Sequence, residues 1–245
     1  MISWIDIGIV LSICNKREKY KIANIFTKDR GAIMAMIEIN SSITSFSTVN
    51  IEWRGKSDGA LGFWRIIDLS QNWLNLIKLP THTFICQRVC SILSKILPPG
   101  VKFSELFEYV QRLAKEIHTR STQEAMRLYA CFEFLLLKAS GYGFDLQICG
   151  VCGQRELIEF ISPKTGQGIS SRCAGRNSTR LFEVPDIWRI WDNNGVYEFE
   201  SCLIEFAHSS IAITNYFIEK HLLPPNTLSI GNRSHLLPLS MLSVS

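Results

Sequence analysis

The sequence contains no apolar run long and clean enough to cross a bilayer. Its most apolar stretch, Leu128 to Phe144, is interrupted by Glu133 and Lys138, whereas a spanning helix needs about 20 consecutive apolar residues. Met1 to Cys14 is also apolar, but Asp6 breaks it, no Lys or Arg precedes it and no small-residue cleavage site follows. No membrane anchor and no secretory signal are therefore expected. Catalytic signatures are lacking too. There is no Gly-rich phosphate loop carrying Lys and Ser or Thr, and no His-Glu-x-x-His pattern. The five histidines, His82, His118, His208, His221 and His235, are scattered singly. An enzyme needs a nucleophile with its base, a metal with an open position or a phosphate cradle, so the sequence predicts a protein without catalysis.

Charge of either sign is in short supply. The 245 residues carry a formal charge of +4, which suits a polyanionic partner without demanding one. Eight cysteines are present, too sparse for a small disulfide-stapled secreted scaffold. A reducing cytoplasm fits them better. Only Cys149-Gly150-Val151-Cys152 has ligand-like spacing, and Cys149 does not open a helix after a strand as a thioredoxin-like redox site requires.

The pattern along the chain predicts an α+β protein. Asp6–Leu11, Lys21–Thr27, Gly31–Ile39, Ser47–Arg54 and Leu61–Asp68 read as strands, with turns at Lys28-Asp29-Arg30-Gly31 and Lys56-Ser57-Asp58-Gly59. Five short strands within residues 1–79 suggest a small barrel of the oligonucleotide-binding type. Residues 80–225 then read as an α-helical domain, with helices over Thr83–Leu97, Lys102–His118 and Thr122–Lys138. Ser121 with Glu124 forms a capping-box signature. Residues 146–180 lose periodicity and gain Gly, Ser, Cys and Arg, so a loop-rich insert resembling a zinc knuckle is expected there. Helices resume near Pro185 and from about Phe199 to Leu222, and residues 226–245 read as a loosely held tail.

One stretch carries a specific signal. Leu136-Leu137-Lys138-Ala139-Ser140-Gly141-Tyr142-Gly143 is followed by Cys149-Gly150-Val151-Cys152-Gly153, then Ser162-Pro163-Lys164-Thr165-Gly166, then Cys173. In this order and spacing the segment resembles the central part of the RecO family. Asp6–Leu11 and Phe26–Gly31 resemble the family's opening strand and first hairpin, so the likeness covers roughly residues 4 to 222. It implies an oligonucleotide-binding (OB-fold) barrel joined to an α-helical domain. It also implies binding of single- and double-stranded DNA, annealing of complementary strands, and help in loading RecA together with RecR. The further implied partner is the acidic C-terminal tail of single-strand-binding protein, received by the helical domain. The implied location is the cytoplasm, at the nucleoid.

The chain departs from that family at two places. Zinc-binding members use two Cys-x-x-Cys pairs, as tetrahedral thiolate coordination requires. Here Cys149, Cys152 and Cys173 are present, but Arg176 stands where the fourth ligand belongs, so zinc has an incomplete set unless Cys202 or His208 reaches in. The run Glu38 to Ser47 also lacks the Arg and Lys residues common in the family after the first hairpin. Ser and Thr can bond phosphates but release no counterions. The candidate DNA contacts are Lys16, Arg17, Lys19, Lys21, Lys28, Arg30, Arg54 and Lys56 on the barrel, and Arg172, Arg176 and Arg180 in the insert. Trp53, Phe63 and Trp64 alternate along the strands, so some face inward and any outward ring is placed to stack a base. The competing reading is a scaffold that contacts single-strand-binding protein and RecR with little DNA binding of its own. Acids such as Asp29, Glu38 and Glu52, interleaved with the cations, would favour it.

Overall fold

The computed structural model describes residues 1–15, 19–38, 43–57, 59–70, 79–189 and 204–223, the side chains of 15, 176–178 and 204–206 apart. The expected tail over 226–245, and Lys16 and Arg17, lie outside the described residues. Five strands come first: β1 (Ile2–Asn15), β2 (Tyr20–Thr27), β3 (Gly31–Glu38), β4 (Thr48–Gly55) and β5 (Phe63–Leu69). They close into a barrel of order β1-β2-β3-β5-β4, the OB-fold connectivity. β1 is long because it pairs on both sides, Ile2–Ile9 with β4 and Gly8–Asn15 with β2, and a bulge at Leu11 lets it turn between them. Closure is a parallel contact of β3 with β5, where Met36 N donates to Gly62 O at 2.9 Å.

Alternation decides which side chains fill the barrel. Along β4, Val49, Ile51 and Trp53 point inward between outward Asn50, Glu52 and Arg54. Val10, Ala23, Ile25, Ala35, Ile37 and Trp64 complete the core. Trp53 and Trp64 are therefore core residues, Trp64 donating its Nε1 to Ala23 O at 3.2 Å, while Phe63 faces outward.

Contacts divide the chain into two compact units, Met1–Ala125 and Met126–Ser245. In the first, α1 (Pro80–Ile96) opens on Pro80, whose missing N–H costs nothing in a first turn. It buries Ile85, Cys86, Val89, Cys90 and Leu93, a helical stripe against β1. α2 (Ser104–Glu116) buries Leu106, Phe107, Val110 and Leu113, and Phe107 meets Phe26 edge-on at 5.2 Å. The turn joining these helices locks onto the β2–β3 hairpin. Gly31 bridges Pro99, Gly100 N donates to Arg30 O at 2.9 Å, and Lys102 pairs with Asp29 at 2.5 Å. Gly31 has φ of 68°, and a Cβ there would sit 2.4 Å from Val101 O, so only glycine serves.

α3 (Thr122–Ala139) starts with the expected capping box: Glu124 Oε2 accepts from Ser121 N at 2.8 Å, and Glu124 N donates to Ser121 Oγ at 3.3 Å. In the second unit it packs through Phe134, which meets Trp188 at 5.4 Å, and Trp188 stacks on Phe144 at 4.5 Å. The last helix, Ile204–Phe217, continues as one π-helical turn to Leu222. Glu133 is fully buried among these elements. It accepts from Tyr129 Oη at 2.5 Å and from Thr214 Oγ1 at 2.6 Å.

The insert is more ordered than its sequence suggests. Instead of plain loop it contains a three-stranded antiparallel sheet, β6 (Ile158–Ile161), β7 (Gly168–Ser170) and β8 (Phe182–Glu183), in the order β7-β6-β8. Strands this short carry too few residues to show a period. Ser162-Pro163-Lys164-Thr165-Gly166 is the hairpin turn between β6 and β7, closed by Gly166 N donating to Ser162 O at 2.8 Å. Residues 186–189 are helical, as expected after Pro185, while Trp191 lies outside the described residues. Among the described residues no helix is long and apolar enough to cross a membrane.

Candidate nucleic-acid interface and cysteine knuckle

On the barrel the β2–β3 hairpin carries two cations, Lys28 and Arg30. Thr27 builds its turn: Oγ1 accepts from Arg30 N at 3.2 Å and donates to Gly31 O at 2.9 Å. Asp6 supports it from β1, accepting from Asp29 N at 3.0 Å. Burial pushes the Asp6 carboxyl up, against those same backbone bonds. Lys28 and Arg30 are exposed on this turn, and the Arg30 guanidinium lies 4.8 Å from the Trp4 ring centroid. Lys19 and Lys21 flank the start of β2, and Lys56 follows β4. Among the described residues no ion pair engages Lys19, Lys21, Lys28, Arg30 or Lys56.

The acids have their own partners. Glu52 pairs with Arg54 at 2.8 Å and Arg65 at 3.5 Å, and the Arg54 hydrogen bond holds its carboxyl low. The bond from Lys102 does the same for Asp29. Arg54 is thus less available to a phosphate than its sequence position suggests, and Glu38 ends β3 opposite Tyr20.

The knuckle begins with Asp145, whose Oδ1 accepts from Gln147 N at 2.9 Å and Ile148 N at 3.1 Å. The chain then turns back through Gly153, whose N donates to Cys149 O at 2.8 Å. Gly168 must be glycine, because a Cβ would lie 2.4 Å from Asp145 O. These turns bring Cys149, Cys152 and Cys173 together, all three Sγ within 4.8 Å of one another. Cys149 is fully buried. Burial works against its charge, yet hydrogen bonds from the backbones of Ser170, Cys152 and Val151 and from the Ser170 hydroxyl bring its thiol down to about 6. The Ser170 hydroxyl lowers the Cys173 thiol, but its hydrogen bond with Cys152, burial and the neighbouring Cys149 together outweigh this and raise it.

Three sulfurs so placed fit three corners of a zinc tetrahedron, in which sulfurs at about 2.3 Å from the metal are roughly 3.8 Å apart. The fourth corner has no ligand among the described residues. His208 does not join the cluster, and Cys202 lies outside the described residues. The residues present therefore supply a three-thiolate set rather than the closed shell of a structural zinc site. Arg172 stands beside it, with Nη2 3.7 Å from Cys152 Sγ, 2.8 Å from Gln154 Oε1 and 2.7 Å from Glu156 Oε1. Of the other insert cations, Arg180 is exposed, and the Arg176 side chain lies outside the described residues.

Sequence reasoning missed Trp4. The opening strand begins at Ile2 and not at Asp6, so the indole that carries Arg30 fell in a segment weighed only as a leader. Its signal was the partnership with β4, where Trp4 lies opposite Trp53.

Fold and site together define a small OB-fold barrel coupled to helices, with a three-cysteine knuckle set among them. A family model described as "Recombination protein O C terminal" matches residues 80–184. A "DNA repair protein RecO" of Wolbachia pipientis wMel is 28% identical over 234 residues, covering 89% of this chain and 92% of the relative. The protein of the same name from Sinorhizobium medicae is 26% identical over 228 residues, covering 91% of this chain and 88% of the relative. That from Methylorubrum extorquens is 25% identical over 228 residues, covering 91% of both chains. Over most of its length the chain is similar to proteins named DNA repair protein RecO.

Proposed function

We propose that the protein is a DNA-binding mediator of recombinational DNA repair in a RecF-type pathway. It binds single- and double-stranded DNA, anneals complementary strands, and assists RecA loading together with RecR on strands covered by single-strand-binding protein. The work is charge neutralisation and strand alignment, not bond chemistry, and its place is the cytoplasm at the nucleoid. Two phosphate backbones approach only when cations screen them. The observation that carries this reading is the barrel hairpin, where Lys28 and Arg30 project while Asp29 is engaged by Lys102 and Glu52 by Arg54 and Arg65. With these acids neutralised, the cations present net positive charge to a polyanion. By sequence, Arg176 and Arg180 would add a second basic region on the insert. The helical unit is the place for the acidic tail of single-strand-binding protein, because grooves between helices suit a short apolar and acidic peptide.

The test is fluorescence anisotropy with a labelled single-stranded oligonucleotide over a range of salt. If Lys19, Lys21, Lys28, Arg30 and Lys56 all meet phosphates, log affinity falls against log salt with a slope near −3.5, at about −0.7 per contact. Absent or salt-independent binding would overturn the mediator and leave the protein-interaction scaffold.

A further inference from the structure

The three thiols of the knuckle have no fourth metal ligand among the described residues, which leaves their sulfurs open to other chemistry. We propose that Cys152 and Cys173 are a redox pair: a hydroperoxide oxidises Cys152, and Cys173 completes a reversible disulfide. Neither residue belongs to the barrel, so this chemistry is independent of the DNA-binding reading.

Main-chain bonds assemble the cluster. Cys149 N donates to Gln154 O at 3.0 Å, Gly153 N to Cys149 O at 2.8 Å and Gly150 N to Gly168 O at 2.8 Å, so the Cys149–Gly153 turn is fixed against β7. Cys173 comes from the short helix Ser171–Ala174 that directly follows β7. All three Sγ atoms lie within 4.8 Å of one another. Disulfide sulfurs are about 2.05 Å apart, so a closure of under about 3 Å is enough to bond any two of them. The three sulfurs are not equivalent. Cys149 is fully buried, and the Ser170 hydroxyl donates to its Sγ at 3.6 Å. Cys152 is exposed and Cys173 half-buried, so a small oxidant in solution meets Cys152 first. Arg172 Nη2 lies 3.7 Å from that same Sγ. A guanidinium there favours the negative sulfur that attacks a peroxide.

The chemistry balances with hydrogen peroxide as the oxidant. The Cys152 sulfur attacks one peroxide oxygen: an S–O bond forms, the O–O bond breaks, and the departing hydroxide takes a proton to become water. Cys152 is then a sulfenic acid, oxidised by two electrons as the peroxide is reduced by two. The Cys173 sulfur attacks Cys152 Sγ next. An S–S bond forms, the S–O bond breaks, and the leaving hydroxide carries off the Cys173 proton as a second water. Two thiols and one peroxide have become one disulfide and two waters, and an external dithiol restores both thiols by exchange.

The bond joins the Cys149–Gly153 turn to the helix after β7 and closes a loop that contains β6 and β7. It also draws Cys152 Sγ away from Arg172, leaving that guanidinium to Gln154 at 2.8 Å and Glu156 at 2.7 Å. Cys86, Cys90 and Cys131 are buried away from an oxidant in solution. Cys14 is the other described thiol that is exposed, and it serves as an internal comparison.

The experiment exposes the full chain, as purified, to stoichiometric hydrogen peroxide, alkylates the remaining thiols, and reads the products by intact mass and peptide mapping, with metal analysis of the same sample. The product should be lighter by two hydrogen atoms before alkylation, take up two fewer alkyl groups, yield a peptide cross-linked between Cys152 and Cys173, and return fully to the starting mass with dithiothreitol. Cys14 should react severalfold more slowly. Cys152→Ser, which alters an exposed side chain, should give no cross-link, and Cys173→Ser should leave a Cys152 sulfenic acid that dimedone captures. A circular-dichroism melt checks that both variants fold, while the cross-link itself is decided on the unaltered chain. Oxidation of Cys14 ahead of Cys152, a cross-link between Cys149 and Cys152, or Cys152 carried to the sulfinic acid without any cross-link would each overturn the pair. Thiols that resist peroxide would overturn it as well, and zinc bound one to one in that sample would identify a closed metal site in its place.

Discussion

Thr214→Val probes the buried centre of the second unit with almost no change of shape. Both carboxyl oxygens of Glu133 are hydrogen-bonded to hydroxyls, of Tyr129 at 2.5 Å and of Thr214 at 2.6 Å. Valine keeps the branched volume and removes one of these donors. Removing one partner of a buried polar group costs about 1–3 kcal/mol, and here the loss falls on a residue with no exposure to water. At about 2–4 °C per kcal/mol for a chain of this size, the melting temperature should fall by roughly 4–10 °C. Urea unfolding followed by circular dichroism would read the same loss as a lower midpoint with an unchanged slope. The cycle with Glu133→Gln decides whether the effect belongs to this bond, and the coupling should reach about 1 kcal/mol. A loss below about 0.5 kcal/mol, or additivity in the cycle, would refute the idea that this pair fastens α3 to the last helix.

Charge reversal at Lys28 and Arg30 should weaken single-strand binding severalfold and flatten the salt slope by about 0.7 for each lost contact, whereas Arg54→Ala, already engaged by Glu52, should change anisotropy little. Arg176→Cys restores the second Cys-x-x-Cys pair and should make the protein retain zinc through chelator-containing gel filtration, by metal analysis, where the unaltered chain retains less. In chelated protein the Cys149 thiol lies below its ordinary value of 9.0, at about 6, so the folded state binds fewer protons than the unfolded one. Its stabilisation is complete above about pH 9 and is lost as pH falls through about 6, so the urea midpoint should climb over that interval and the climb should vanish in Cys149→Ser.

Much of the barrel was legible because its strands alternate over seven or eight residues, as in Val49, Ile51 and Trp53, and because Asp29 to Gly31 spells a tight turn. The capping box at Ser121 and Glu124 was equally plain, since both partners lie within one helical turn. β6 to β8 were not legible: runs of four, three and two residues are ordered only by pairing with each other. Cys149 and Cys152 were found from their spacing and Cys173 from the family resemblance, and the structure does gather them. What Arg172 does was hidden. A phosphate contact follows from its charge, but its place against Cys152 and Glu156 depends on a fold that returns the chain sixteen to twenty residues later. The stack of Arg30 on Trp4 was hidden for the same reason, being a contact between β1 and a hairpin more than twenty residues away.

The bridge from Gly31 to Pro99 has a mechanical meaning. A protein that grips α1 or α2 and pulls will load the α1–α2 turn, and that turn is tied by main chain to the two residues next to one another at the tip of the hairpin, Arg30 and Gly31. The helices thus hold a short lever on the arginine.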